Sequence, residues 1–298
     1  MTPFKRIAIV ANVDLSEIID PLNRLCSFLE KEGYLVFLEA KTSQLVSSKD
    51  IPIFDHLQKN LNLDLIIVVG GDGSMLSVGR SAAKLNIPIL GVNRGRLGFL
   101  TDILPDDMEK QLHRVLSGDY IISNRFLLEA SFFKDEKKIS SGEAINDLVL
   151  HPGSSVRMIE FELYIDEQFV YSQRSDGLII STPTGSTAYA LSGGGPILNP
   201  DLDAIVLVPM NAHTLSSRPI VVGSNSNIKI QLSPRNELTS TVTCDGQIDL
   251  PHRPGDIINI QKTNNPLKLI HQDDNSFYAT CRTKLGWGSH HGFSNRNR

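Results

Sequence analysis

Apolar positions along this chain follow two different rhythms, and the change falls near residue 121. Before it, short continuous apolar runs alternate with segments whose apolar residues recur every three or four positions. Ile7-Ala8-Ile9-Val10 reads as a buried strand, and Leu15, Ile18, Ile19, Leu22, Leu25, Cys26 and Leu29 then share one helical face. Pro21 interrupts that face and places a helix start or kink nearby. Residues 34–38 predict a second strand, 54–61 a short helix, Leu65–Val69 a third strand and 74–85 a helix with Met75, Leu76, Val78 and Ala82 inward. Residues 87–92 predict another strand and 105–116 a helix, with Pro105 in its first turn and Gly118 just past its end. This alternation predicts an open parallel sheet with helices on both faces.

After residue 121 the runs become short and β-like, at 126–133, 145–150, Ile159–Ile165, 169–172, Gly177–Ser181, 204–208, Ile228–Leu232, 241–244 and 257–260. Turn clusters such as Pro152-Gly153-Ser154 and Asn225-Ser226-Asn227 separate them, as in a mostly antiparallel β domain. The helix signal there is slight, chiefly over 186–191. The expected fold class is therefore α/β plus all-β: residues 1–121 an α/β domain, residues 122–269 a β-rich one. From about Asp273 the chain is polar and periodicity does not place it.

Composition adds little beyond exclusions. The 298 residues are 41% hydrophobic and 21% charged, which fits a folded core and not a disordered chain. A net charge of −4 argues against a general nucleic-acid binder, which neutralises phosphates with dense positive charge. Three widely spaced cysteines, Cys26, Cys244 and Cys281, form no CxxC pair, so a reducing compartment is expected and neither a disulfide framework nor a zinc site. No apolar run approaches the ~20 residues needed to span a bilayer, so no membrane association is expected and the cytoplasm is the expected location.

Chemistry concentrates in four segments. Gly70-Gly71-Asp72-Gly73-Ser74 follows a strand, where glycines let backbone amides approach an anion closely. A carboxylate inside such a cradle is unfavourable unless it takes a proton or helps hold a metal, and that combination points to phosphoryl transfer. Such a turn also occurs as a plain strand–helix connection. Asn93-Arg94-Gly95-Arg96-Leu97-Gly98-Phe99 follows the next strand, on the rim where ligands collect in open parallel sheets, and Arg94 and Arg96 could pair with phosphate oxygens. Asn146-Asp147 offers donors and acceptors suited to ribose hydroxyls or a base edge, although an Asn-Asp pair alone is most often a turn. The longest block, from Arg174-Ser175-Asp176-Gly177 through Thr182-Pro183-Thr184-Gly185-Ser186-Thr187-Ala188-Tyr189 to Gly193-Gly194-Gly195-Pro196, combines hydroxyls, backbone donors and one aromatic face, a set that suits a nucleotide. No GxxxxGK[ST] is present, the first strand is not followed by GxGxxG, and no HExxH, GxSxG or HRD motif occurs. The eight histidines show no metal spacing, and His290-His291 reads as an exposed pair.

In order and spacing these segments resemble the signature of bacterial NAD kinases, and the likeness continues through His213-Thr214-Leu215-Ser216-Ser217-Arg218-Pro219 and Asp245-Gly246-Gln247. The glycine turn alone is shared with diacylglycerol and sphingosine kinases and with phosphofructokinases; the DGL…PTGSTAY…GGP block is far more specific. The resemblance implies transfer of the ATP γ-phosphoryl group to the 2′-hydroxyl of the adenosine ribose of NAD, a divalent cation (Mg²⁺), and a homodimer or homotetramer. It also implies that the second domain is sandwich-like and binds NAD, and that a tail, residues 270–298, packs back on the first. By the same resemblance Asp72 is the proton acceptor and contacts NAD with Gly73. Asn146 and Asp147 bind ribose hydroxyls, Arg174 and Asp176 flank the dinucleotide, and Thr187, Ala188, Tyr189, Ala190, Leu191 and Ser192 line its site, with Tyr189 stacking on a ring. Gln247 completes the pocket, and Arg157 matches a ligand-contacting position reached from a neighbouring subunit. Gly70, Gly71 and Gly73 cradle phosphate.

In a loose phosphoryl-transfer state the attacking hydroxyl keeps its proton until late, so an ordinary carboxylate suffices as base. Two other readings remain open at this point. A lipid or sugar kinase would share only the glycine turn, and a silent NADP(H)-binding sensor would share the pocket without turnover.

Overall fold

A computed structural model describes residues 4–11, 18–48, 50–95, 98–134, 136–153, 157–214, 216–237, 239–272 and 277–287. Arg96 and Leu97, Leu15 of the first helical face, Leu215, and His290-His291 lie outside the described residues. Two compact units emerge: residues 1–78, 87–123 and 269–298 form one, and residues 79–86 and 124–268 the other.

The first unit is built on a seven-stranded sheet in the order Ile53–Phe54, Leu35–Glu39, Arg6–Ala11, Leu65–Val69, Ile89–Val92, Leu267–His271, Ile121–Arg125. The first six are joined by parallel ladders, for example Ile7↔Leu65 and Ile66↔Ile89. Every residue of Leu65–Val69 is buried. Its odd positions Leu65, Ile67 and Val69 pack with Leu22, Leu25 and Leu29 of helix Ile19–Lys31 and Leu112 and Val115 of helix Met108–Leu116. Ile66 and Val68 point the other way and are buried too, which is why the strand reads as a continuous apolar run. The tail strand Leu267–His271 joins this sheet and helix Phe277–Leu285 follows, as the fold-class expectation required.

Two local expectations fail. Residues 54–61 form no α-helix: Phe54 ends a short strand paired with Glu39, and only Lys59–Leu61 turns, as a 3₁₀ segment. Edge pairing satisfies that backbone better than one isolated turn of helix would. The helix expected from residue 74 begins instead at Asp72, because the Gly71 carbonyl accepts from the Ser74 and Met75 amides and puts Asp72 in the first turn.

The second unit holds two six-stranded antiparallel sheets. Phe132, Phe161, Leu163, Ile230 and Ile258 from one meet Leu148, Leu150, Leu178, Ile180 and Val242 from the other in a single apolar core. The central strand Gly177–Ser181 is buried at all five positions. Leu178 and Ile180 face that shared core, whereas Ile179 packs on the outer side with Val149, Val206, Val208, Ala190 and Leu198. The glycine- and hydroxyl-rich block therefore lies against the outer face of the second sheet, beside the ends of its strands.

Candidate functional site

In the first unit the glycine turn and the 93–101 loop leave from neighbouring strand ends, with Val69 opposite Val92 and the Gly70 amide donating to the Val92 carbonyl at 2.9 Å. Asp72 is partly exposed, and its carboxylate is engaged by the loop. The Phe99 amide donates to Oδ2 at 2.9 Å and the Leu100 amide to Oδ1 at 3.0 Å. A Cβ at position 98 would stand 2.2 Å from Asp72 Oδ1, so only glycine lets the loop come this close. The Arg94 guanidinium reaches the turn, its Nη2 standing 3.6 Å from where a Gly71 Cβ would be. Arg94 is exposed, so it is open to a phosphate.

In the second unit a cavity of about 660 Å³ opens beside the second sheet, lined by Asn146, Asp147, Asp176, Tyr189, Met210 and Asp245 among others. That size is ordinary for a small-molecule site. Two sequence segments interlock to make its wall. Thr182 donates through Oγ1 to the Ile145 carbonyl at 2.6 Å and through its amide to the Asn146 carbonyl at 2.9 Å. A Cβ on Gly185 would lie 2.1 Å from that same Asn146 carbonyl oxygen, so the Pro183-Thr184-Gly185-Ser186 turn needs its glycine to seat on the Asn-Asp pair.

Asp245 organises the pair from behind. Its side chain has no exposed surface and accepts from the Asn146 amide at 2.7 Å, the Ile145 amide at 3.1 Å and Arg80 Nη1 at 2.5 Å. Arg80 also donates through Nη2 to Gln247 Oε1 at 2.7 Å. Burial and the Asp245 charge push the Asp147 carboxyl up to about 7, against the effect of the Tyr189 amide, which lowers it. Asn146 Oδ1 is buried and has no hydrogen-bond partner among the described residues. A buried acceptor left unmade costs about 1–3 kcal/mol, so a ligand donor at that oxygen would be favoured. Tyr189, 46% exposed, presents its ring at the cavity wall.

Of the residues expected from sequence, Asn146, Asp147, Asp176, Ala188 and Tyr189 come together at this cavity. Thr187, Ala190, Leu191, Ser192 and Gln247 are not among its lining; Ala190 is fully buried beneath, packed with Val206 and Val208, and Gln247 is turned to Arg80. Arg157 and Arg174 line a separate cleft of about 420 Å³ with Arg235 and Glu160, and Arg157 is ion-paired to Glu237. Sequence reasoning gave no part to Arg80 or Thr101, and met Asp245 only within the Asp245-Gly246-Gln247 likeness, without a role. The signal for Arg80 was present: it occupies an apolar-face position of its helix, where a charge needs a partner.

Residues 7–120 match the ATP-NAD kinase N-terminal domain and residues 145–272 the ATP-NAD kinase C-terminal domain. The chain is 53% identical over 98% of its length to the whole of an NAD kinase of Teredinibacter turnerae. It is 51% identical to an NAD kinase of Azotobacter vinelandii, covering 97% of this chain and 98% of that one. Among solved structures, yeast NADH kinase complexed with NADH superposes with a TM-score of 0.84 at 23% identity, covering 100% of this chain and 91% of that one. An NAD kinase from Archaeoglobus fulgidus in complex with ATP gives 0.66 at 26% identity, covering 94% and 96%.

Proposed function

The chain belongs to the ATP-NAD kinase family and phosphorylates NAD, and we propose that Asp72 takes the proton from the 2′-hydroxyl of the adenosine ribose as the γ-phosphoryl of ATP is transferred, giving NADP. The observation that carries this reading is the Asn146-Asp147 pair. Buried Asp245 accepts from the Ile145 and Asn146 amides and, at 3.4 Å, from that of Asp147, and Asn146, whose buried Oδ1 has no partner among the described residues, lines the cavity. Asn146 Oδ1 accepts from a ribose hydroxyl, Asp147 takes the neighbouring one, Asp176 flanks the dinucleotide and Tyr189 stacks on a ring. Arg157 and Arg174 serve the dinucleotide from their own cleft, and Gln247 acts through Arg80.

On the donor side, the amides of Gly71 and Gly73 are assigned to phosphate oxygens, whereas the Gly70 amide, expected to join them, is held by the Val92 carbonyl and only shapes the turn. Arg94 supplies the positive charge that a P-loop lysine gives elsewhere. Among the described residues no three His, Cys, Asp or Glu side chains gather into a cage. That donor set fits Mg²⁺ gripped chiefly by substrate phosphates and water, with Asp72 the acidic side chain of the turn that would face it. When bound, the cation neutralises charge on the transferring group. General-base help contributes ~10²–10⁴-fold. Asp72→Asn should therefore fold and lose NADP formation by about that factor, measured by a coupled assay from NAD and ATP; wild-type turnover in that variant removes Asp72 from the chemistry.

We assign the donor site to residues 1–121 with 270–298 and the dinucleotide site to 122–269. A homodimer or homotetramer is supported by the edge strand Gln168–Ser175, which leaves Phe169 57% and Val170 36% exposed. Three buried free cysteines support a reducing, cytoplasmic location, and no helix among the described residues is long and apolar enough to cross a membrane.

A further inference from the structure

Asp72 is held by more than two amides. Thr101 is fully buried and its Oγ1 stands 3.4 Å from Asp72 Oδ1. On its other side the same hydroxyl oxygen accepts from Asn93 Nδ2 at 2.6 Å. Asn93 cannot turn easily, because its Oδ1 takes the Arg94 amide at 2.6 Å and the Gly95 amide at 3.2 Å, which fixes Nδ2 toward Thr101. With Nδ2 filling a lone pair of Oγ1, the Thr101 hydrogen is left to point at the carboxylate. The Thr101 methyl sits 2.7 Å from where a Cβ on Gly91 would be, so glycine at 91 makes the room in which this β-branched side chain, stiff at χ1, is seated.

We infer that Thr101, aimed by Asn93, is a positioning residue that closes one face of the Asp72 carboxylate and leaves Oδ2 as the oxygen that meets substrate. Oδ1 receives two donors, Leu100 N–H and Thr101 O–H, and lies against Gly98. Oδ2 receives one, Phe99 N–H, among the described residues. Its second lone pair is the one that can take a hydroxyl proton. Without the third contact the carboxylate is held by the Phe99 and Leu100 amides alone and turns more freely about Cβ–Cγ, which lowers the fraction of correctly aimed encounters. The inference rests on Asp72 being the proton acceptor.

The test is steady-state kinetics on Thr101→Val, Thr101→Ser and Asp72→Asn, singly and combined. Thr101→Val should lower kcat about 3–10-fold, the size of one long hydrogen bond lost, with both KM values unchanged. Thr101→Ser should restore kcat. In the Asp72→Asn background Thr101→Val should add nothing, since the two act as one unit. The same loss of kcat in both backgrounds, or a KM rise with kcat intact, overturns the inference while leaving Asp72 as base. Wild-type turnover by Asp72→Asn alone is the distinct outcome in which the reading of Asp72 fails. If Thr101→Val does not fold, Asn93→Asp gives the second arm: an oxygen replacing Nδ2 competes for the Thr101 hydrogen and should lower kcat in the same way, and unchanged kcat in that folded variant overturns the proposal.

Discussion

Asp147 offers a test that needs no substrate. Its carboxyl is 5% exposed and sits beside the Asp245 carboxylate, and these together raise it from 3.8 to about 7. A carboxyl raised on folding binds more protons folded than unfolded, so its contribution is present below the unfolded value and is lost as pH climbs through the folded one. From the two values, ionising Asp147 costs the folded state about 2 kcal/mol at pH 5 and about 4 kcal/mol at pH 8. Asp147→Asn cannot ionise, so its stability relative to wild type should improve by about 2–3 kcal/mol between pH 5 and pH 8. Urea unfolding of both proteins at half-unit steps gives the difference directly. Using the difference removes other titrations such as His252, which burial lowers to about 4 and which acts in the opposite sense, costing stability as pH falls below the unfolded histidine value. A wild-type-minus-variant difference that is flat across this window would refute the burial argument, and one of opposite slope would mean that Asp147 is stabilised as an anion.

Arg80→Met should leave Asp245 buried with only amide donors, at a cost of about 3–5 kcal/mol in urea unfolding, and should raise the KM for NAD; a loss under about 1 kcal/mol with KM unchanged contradicts the role given to this pair. Gly71→Val should fold, because a Cβ there meets nothing closer than Arg94 Nη2 at 3.6 Å, yet should raise the KM for ATP by displacing that guanidinium and shielding the turn amides; an unchanged KM places the triphosphate elsewhere.

What the chain made legible follows from which faces are buried. Strands such as Leu65–Val69 and Gly177–Ser181 announce themselves because both faces are covered, and the architecture of parallel sheet followed by antiparallel sheets came with them. Lys137–Ala144 was missed because its residues are mainly outward and polar, and its place is set by pairing with Leu128–Lys134. Residues 54–61 misled because Phe54, Leu57 and Leu61 sit at helical spacing, yet Phe54 is claimed by the sheet edge. At the site, the residues that line the cavity were recognisable by motif, as with Asn146, Asp147, Asp176 and Tyr189. Arg80, Thr101 and Asp245 act on other protein groups across long sequence separations, 165 residues from Arg80 to Asp245, and only the fold reveals such partners.

The most direct measurement is a crystal structure of the chain with NAD bound. The account predicts Asp72 Oδ2 within hydrogen-bond reach of the 2′-hydroxyl of the adenosine ribose, with Oδ1 still held by Leu100 and Thr101. An Asp72 carboxylate remote from that ribose, or one that meets it through Oδ1, would contradict it.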